Sequence, residues 1–92
     1  MTLEELYRML QELYENTEEP ESVDVILVTQ QNYPLRSHIL GVSTDVDLAN
    51  AQLEDPIIDQ GQEIKEVYII ESGQDREHPY TSSDLWNIAQ TA

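Results

Sequence analysis

Ser22-Val23-Asp24-Val25-Ile26-Leu27-Val28-Thr29-Gln30-Gln31 is the stretch that decides the fold. Val25 to Val28 are apolar without interruption, and three of the four are β-branched. Pro20 precedes the run and Asn32-Tyr33-Pro34 follows it. A short branched apolar run between turn formers reads as a strand buried on both faces. The rest of the chain is expected to cover or flank it.

Upstream, residues 2–15 predict a helix. Leu3, Leu6, Tyr7, Leu10, Leu13 and Tyr14 recur at the spacing of one helical face. Thr2 followed by Glu5 has the form of a capping box. Glu4 and Arg8 stand one turn apart. Asn16-Thr17-Glu18-Glu19-Pro20 closes the helix and turns the chain. This stripe reads as core; a partner-binding face is the other reading.

Downstream, Pro34 disfavours helix at Tyr33 and removes a backbone donor, so a turn or bulge is expected there. Leu35 to Thr44 predicts a second strand, joined to the first as an antiparallel hairpin. Gly41 inside it predicts a bulge or a close backbone approach. Residues 45–64 fit either a short helix around Val46, Leu48, Ala49 and Leu53 or a loop. Lys65 to Glu71 predicts a third strand, and Ser72-Gly73-Gln74-Asp75 a turn. Thr81 to Gln90 predicts a last helix, capped by Thr81 or Ser82, with Asp84 in its first turn and Leu85, Trp86, Ile88 and Ala89 on its apolar side. The order is helix, strand, strand, long acidic connection, strand, helix. It predicts an α+β domain: a three-stranded antiparallel sheet with an N-terminal and a C-terminal helix packed on one face. Ninety-two residues make one such domain.

Composition narrows the function. Nineteen acidic residues face four basic ones, a formal charge of −15. That field repels nucleic acid and anionic membrane and attracts basic protein surfaces. No cysteine is present, which removes disulfides and thiolate chemistry. The first residues carry acid where a signal peptide carries base, and no apolar run approaches the roughly 20 residues of a membrane helix. The expectation is a soluble, cytoplasmic protein.

Catalytic equipment is not recognisable. His38 and His78 are 40 positions apart, without a second ligand at helical or hairpin spacing, so no metal and no cofactor are expected. No phosphate-cradling or nucleophile-elbow motif occurs. A histidine acting with a carboxylate is the remote enzymatic alternative; the expectation is a non-enzyme.

Two short motifs stand out: Gln30-Gln31-Asn32-Tyr33-Pro34, and Val67-Tyr68-Ile69-Ile70-Glu71-Ser72-Gly73-Gln74. With the N-terminal amphipathic helix they resemble a loose group of small uncharacterised bacterial and phage proteins, patterned Q-x-N-Y-P and V-Y-I-x-E-G-x-Q. Ser72 is an insertion relative to the second pattern. The resemblance implies no activity, but it implies a mobile-element setting in which small acidic proteins act as inhibitors of host enzymes.

The functional expectation is therefore a protein-interaction module whose acidic surface occupies a basic groove of a nucleic-acid-binding partner. A phage-encoded anti-CRISPR protein imitating DNA charge is one instance. A structural or adaptor domain, acidic only for solubility, is the alternative. From Ser37 to Ile64 no Lys or Arg occurs, and Asp45, Asp47, Glu54, Asp55, Asp59 and Glu63 are the candidate partner-binding acids. Tyr33, Arg76 and Tyr80 are candidate anchors, because exposed Tyr and Arg are favoured at interfaces. The same two tyrosines would equally serve to cap the ends of the sheet.

Overall fold

A computed structural model describes residues 1–52 and 63–91. The described elements run α1 (Leu3–Glu15), a single 3₁₀ turn (Pro20–Ser22), β1 (Ile26–Thr29), β2 (Leu35–Thr44), α2 (Asp45–Ala51), β3 (Val67–Gln74) and α3 (Asp84–Ile88). β1, β2 and β3 form one antiparallel sheet in that order, so the architecture is α+β. No described helix is long and apolar enough to cross a membrane.

β2 is the centre of the sheet and the element whose bounds match the sequence reading end for end. β1 pairs with it from Ile26 opposite His38 to Thr29 opposite Leu35. Opposed residues share a face. Ile26 and Val28 therefore stand with His38 and Arg36, and Leu27 stands with Ser37. The turn between them places Gln30 at φ 62°, and the Tyr33 amide donates to the Gln30 carbonyl at 2.9 Å. A left-handed non-glycine residue carries backbone strain of about 1 kcal/mol or more.

β1 differs from the expected doubly buried strand. It has four residues, lies at an edge, and is half-buried at Ile26, Leu27 and Val28. Val25 lies before the strand and is 63 % exposed. A branched apolar run shows that a segment prefers extended backbone. It does not show what covers the segment, and here the cover is incomplete.

β3 also differs. Its pairing continues through Gln74 opposite Ser37, where a turn was expected, while Lys65 and Glu66 lie before its start. The register slips between His38 and Ile39 and again between Ile39 and Gly41. Gly73, at φ 135°, lets β3 bend within the ladder instead of leaving it. The bulge expected at Gly41 is present, but no close backbone approach accompanies it, since nothing lies within 4 Å of where a Cβ would stand. The two glycines thus have opposite expected costs. Gly73→Ala adds backbone strain of about 1–3 kcal/mol. Gly41→Ala is neutral or stabilises by up to about 1 kcal/mol. Urea denaturation of the two variants reads the difference, and equal midpoints would show that Gly73 is unstrained.

α1 spans one residue less at its start than predicted. The Thr2 hydroxyl accepts the Glu5 amide at 3.1 Å, and Arg8 pairs with Glu4 at 2.7 Å. The Asn16 and Thr17 side chains donate back to the Glu12 and Leu13 carbonyls and close its end. α3 is shorter than expected because the chain before it is used elsewhere. Tyr80 bridges Leu35, and the Thr81 amide donates to the Pro34 carbonyl at 3.2 Å, which extends the sheet edge. Ser83 is the N-cap residue, while the Ser82 hydroxyl accepts the Asp84 amide at 3.1 Å.

No apolar side chain among the described residues is fully buried; Ser37, at 9 %, is the most enclosed position. The α1 stripe lines clefts rather than a core. Its second half faces Pro20, Val23, Val25 and Ile26 across a cleft of about 610 Å³. Its first half faces Ile64 to Ile69 across another of about 490 Å³.

Candidate interaction surface

The acidic stretch beginning at Asp45 is partly structural. Thr44 and Asp47 form a reciprocal capping box: the Thr44 hydroxyl accepts the Asp47 amide at 3.1 Å, and the Asp47 carboxylate accepts the Thr44 amide at 3.0 Å. This fixes the helical alternative for residues 45–51, where helix and loop were both open. Asp45 ties the start of α2 to the approach to β3. Its carboxylate accepts the Lys65 amide at 3.1 Å and the Glu66 amide at 3.2 Å, and its own amide donates to the Glu66 carbonyl. Burial disfavours its charge, but the amides of Glu66 and Lys65 and those at the start of α2 outweigh that, so its pKa lies below the ordinary value.

A depressed carboxylate pKa stabilises the fold above the unfolded value, near 3.8, and that stability is lost as pH falls through the folded value. Asp45→Asn keeps the shape and removes the charge. The expected result is lower stability at neutral pH and a shallower loss of stability below about pH 4. Denaturant midpoints across pH measure it, and parallel acid limbs would remove Asp45 from the clamp.

Of the other predicted acids, Glu63 is described and exposed, while Glu54, Asp55 and Asp59 lie outside the described residues. Of the three described acids among the six, Glu63 alone makes no hydrogen bond or ion pair with another described residue.

At the opposite end of the sheet the chain brings together residues far apart in sequence. Tyr33 and Tyr80 meet edge to face with ring centroids 5.0 Å apart. They flank the edge pairing of Pro34, Leu35 and Thr81, so the end-capping reading describes their placement; both also remain exposed. The Tyr33 phenol is held above its ordinary pKa chiefly by the adjacent Tyr80 hydroxyl. Arg76 is exposed in the loop that follows β3 and has no ion-pair partner among the described residues.

Asp75 is the residue of this corner that sequence reasoning missed. One carboxylate oxygen accepts the Glu77 and His78 amides at 3.0 and 3.1 Å. The other lies 3.8 Å from the Arg36 guanidinium and 3.7 Å from His38 Nε2. Donation by the His78 amide, followed by that of Glu77 and the charges of His38 and Arg36, outweighs burial and lowers its pKa. The loop is pinned further by the Asp75 amide on the Arg36 carbonyl and the Arg36 amide on the Pro79 carbonyl, each at 2.9 Å. The Asp-x-x-His spacing of an Asx-type turn signals the local half of this arrangement. Its pairing with Arg36 and His38 has no sequence signal. Among the described residues no three His, Asp or Glu side chains form a set able to hold a metal ion.

A third surface emerges from Glu12 to Asp24. Glu12, Glu15, Glu18, Glu19, Glu21 and Asp24 are all exposed, and no Lys or Arg occurs from Met9 to Leu35. Asp24 itself lines the larger cleft. Among the described residues only Glu4 and Asp75 place a carboxylate within 4.0 Å of a cationic side chain. The sequence signal for this run is the same as for 45–63: six acids without a base.

The chain matches no protein-family model, no curated protein and no solved structure.

Proposed function

We infer that this chain is a non-catalytic interaction module that presents carboxylates to a basic surface of a nucleic-acid-binding protein and competes there with nucleic acid. One observation carries the reading: the exposed, base-free acids from Glu12 to Asp24 hold no cationic partner among the described residues. Carboxylates neutralised within the fold serve stability, whereas uncompensated ones project a field that attracts Lys and Arg. Asp45 and Asp47 carry no cationic partner among the described residues either, but their carboxylates accept backbone amides that hold α2 and the start of β3, so the surface is centred here on 12–24. The reading places the protein in the cytoplasm, where such partners meet nucleic acid. An inhibitor of the anti-CRISPR type remains one instance of it.

The test starts with capture of a basic protein from the native host on the immobilised chain, and proceeds with that protein purified. The acidic chain is expected to displace nucleic acid from it. Displacement should weaken steeply as salt rises, because exposed charges are screened within about 8 Å at physiological ionic strength. A captured protein that binds this chain and its nucleic acid together, without competition, would overturn the proposal.

A further inference from the structure

We propose that the cleft between α1 and residues 20–26 holds the bound segment of the basic partner, and that this segment carries large apolar side chains among its Lys and Arg; this rests on the interaction inferred above. The cleft has a volume of about 610 Å³, within the roughly 300–1,000 Å³ of pre-formed binding sites. Tyr7, Leu10, Leu13 and Tyr14 stand in one wall, and Val23 and Val25 in the other. All six are exposed. The fold therefore leaves their apolar surface in water, and a partner's apolar side chains gain free energy by covering it.

Charge decides the occupant. Each wall carries a carboxylate, and no Lys or Arg lines the cleft. Asp24 lines it between Val23 and Val25. On the α1 side the side-chain amide of Gln11, itself in the wall, donates to the Glu15 carboxylate at 3.3 Å. An acidic segment would meet like charge on both sides, and a basic segment without apolar residues would leave the walls uncovered. Lys and Arg suit such a cleft, because their apolar stems lie along the walls while the charged ends reach the carboxylates. Tyr7 and Tyr14 supply aromatic rings for the same cations. Salt screens the attraction to the carboxylates but not the apolar contact. Binding at the cleft should therefore outlast the salt that removes attraction to the acidic surface alone.

Two short labelled peptides serve as probes, one alternating Lys with Leu and the other Lys with Ser at the same charge. Fluorescence anisotropy gives the affinity of each for the full chain. The Lys–Leu peptide is expected to bind roughly tenfold or more tightly and to keep part of that affinity as salt rises. Leu13→Ser and Val25→Ser, one on each wall, should each weaken the Lys–Leu peptide by roughly three- to tenfold and leave the Lys–Ser peptide unchanged. Leu40→Ser alters an apolar residue of β2 that is 73 % exposed and does not line the cleft, so it should change neither. Thermal melting by circular dichroism shows which variants are folded, and a folded variant on either wall suffices. A Lys–Leu peptide that binds no more tightly than Lys–Ser, folded wall variants without a loss, or an equal loss in Leu40→Ser would overturn the proposal. Those results leave the acidic surface standing, because displacement of nucleic acid from the captured host protein is measured separately.

Discussion

Leu27→Asp removes the cooperative thermal transition. Leu27 sits in the middle of β1, half-buried and directly opposite Ser37, the most enclosed residue of the described chain. The basic residues of the paired strand, Arg36 and His38, occupy the positions on either side of Ser37 in β2 and therefore project from the other face. A carboxylate at Leu27 meets no partner and gives up part of its hydration. An uncompensated charge of this kind costs roughly 3–5 kcal/mol. A domain of this size has about 5–10 kcal/mol in hand, and one whose described residues include no fully buried apolar side chain sits at the low end. Val25→Asp is the control. Val25 is outside the strand and exposed, so its replacement should change stability by no more than about 0.5 kcal/mol. The measurement is thermal melting followed by far-UV circular dichroism. A Leu27→Asp melt as sharp as that of the parent, or equal losses in the two variants, would remove β1 from the foundation of the sheet.

That contrast shows where sequence reading stopped. The run from Val25 to Val28 announces a strand through its branched residues, but pairing begins only at Ile26. β2 was legible at its start because Pro34 bounds it before Leu35; the cap of Thr44 and Asp47 that starts a helix directly after it was not read from the sequence, which left 45–64 open. α1 was legible because its stripe repeats over the full helix. The continuation of β3 to Gln74 was not legible. Gly73 has the chemistry of a turn, and only its neighbours in β2 decide that it bends inside a ladder. The same limit hid the corner at Asp75. Arg36 and His38 reach it from another strand, and nothing in the spacing of one chain reports a pairing across 37 or more positions. Nor does periodicity say what an apolar face meets. The stripe from Leu3 to Tyr14 reads identically whether it packs into a closed core or lines open clefts, as it does here.

Acidity was the easiest feature to count, but a count does not separate acids that bond within the fold from acids that do not. Asp45 and Asp47 looked like the head of a partner surface, and both are engaged in holding α2 and the start of β3. Reversing Asp47 would therefore damage the fold as well as any binding, since losing an N-terminal cap costs about 1 kcal/mol. Charge reversal belongs instead on acids without a local bond to backbone or base.

Reversing Glu18, Glu19, Glu21 and Asp24 to Lys is such a set. All four are exposed, and no side chain of the four makes a cap hydrogen bond or an ion pair among the described residues; Glu19 caps the 3₁₀ turn through its carbonyl, which a lysine keeps. The variant should melt with the parent and bind the basic partner roughly 100-fold more weakly at moderate salt. A second variant, with Glu63, Glu71, Glu77 and Asp84 reversed to Lys, alters the net charge by the same amount at other sites. It weakens the long-range field equally but leaves the 12–24 surface intact, so the loss should be no more than about tenfold. Association rates carry the shared part of the effect, because attraction at a distance depends on total charge. Dissociation rates carry the difference, because they report the carboxylates that touch the partner. If both variants lose the same affinity, and only through slower association, the acids act as a diffuse field and no ordered carboxylate surface exists on the Glu12–Asp24 side. If neither loses affinity, the charge plays no part in recognition, and the Tyr33–Tyr80 corner with Arg76 becomes the surface to mutate.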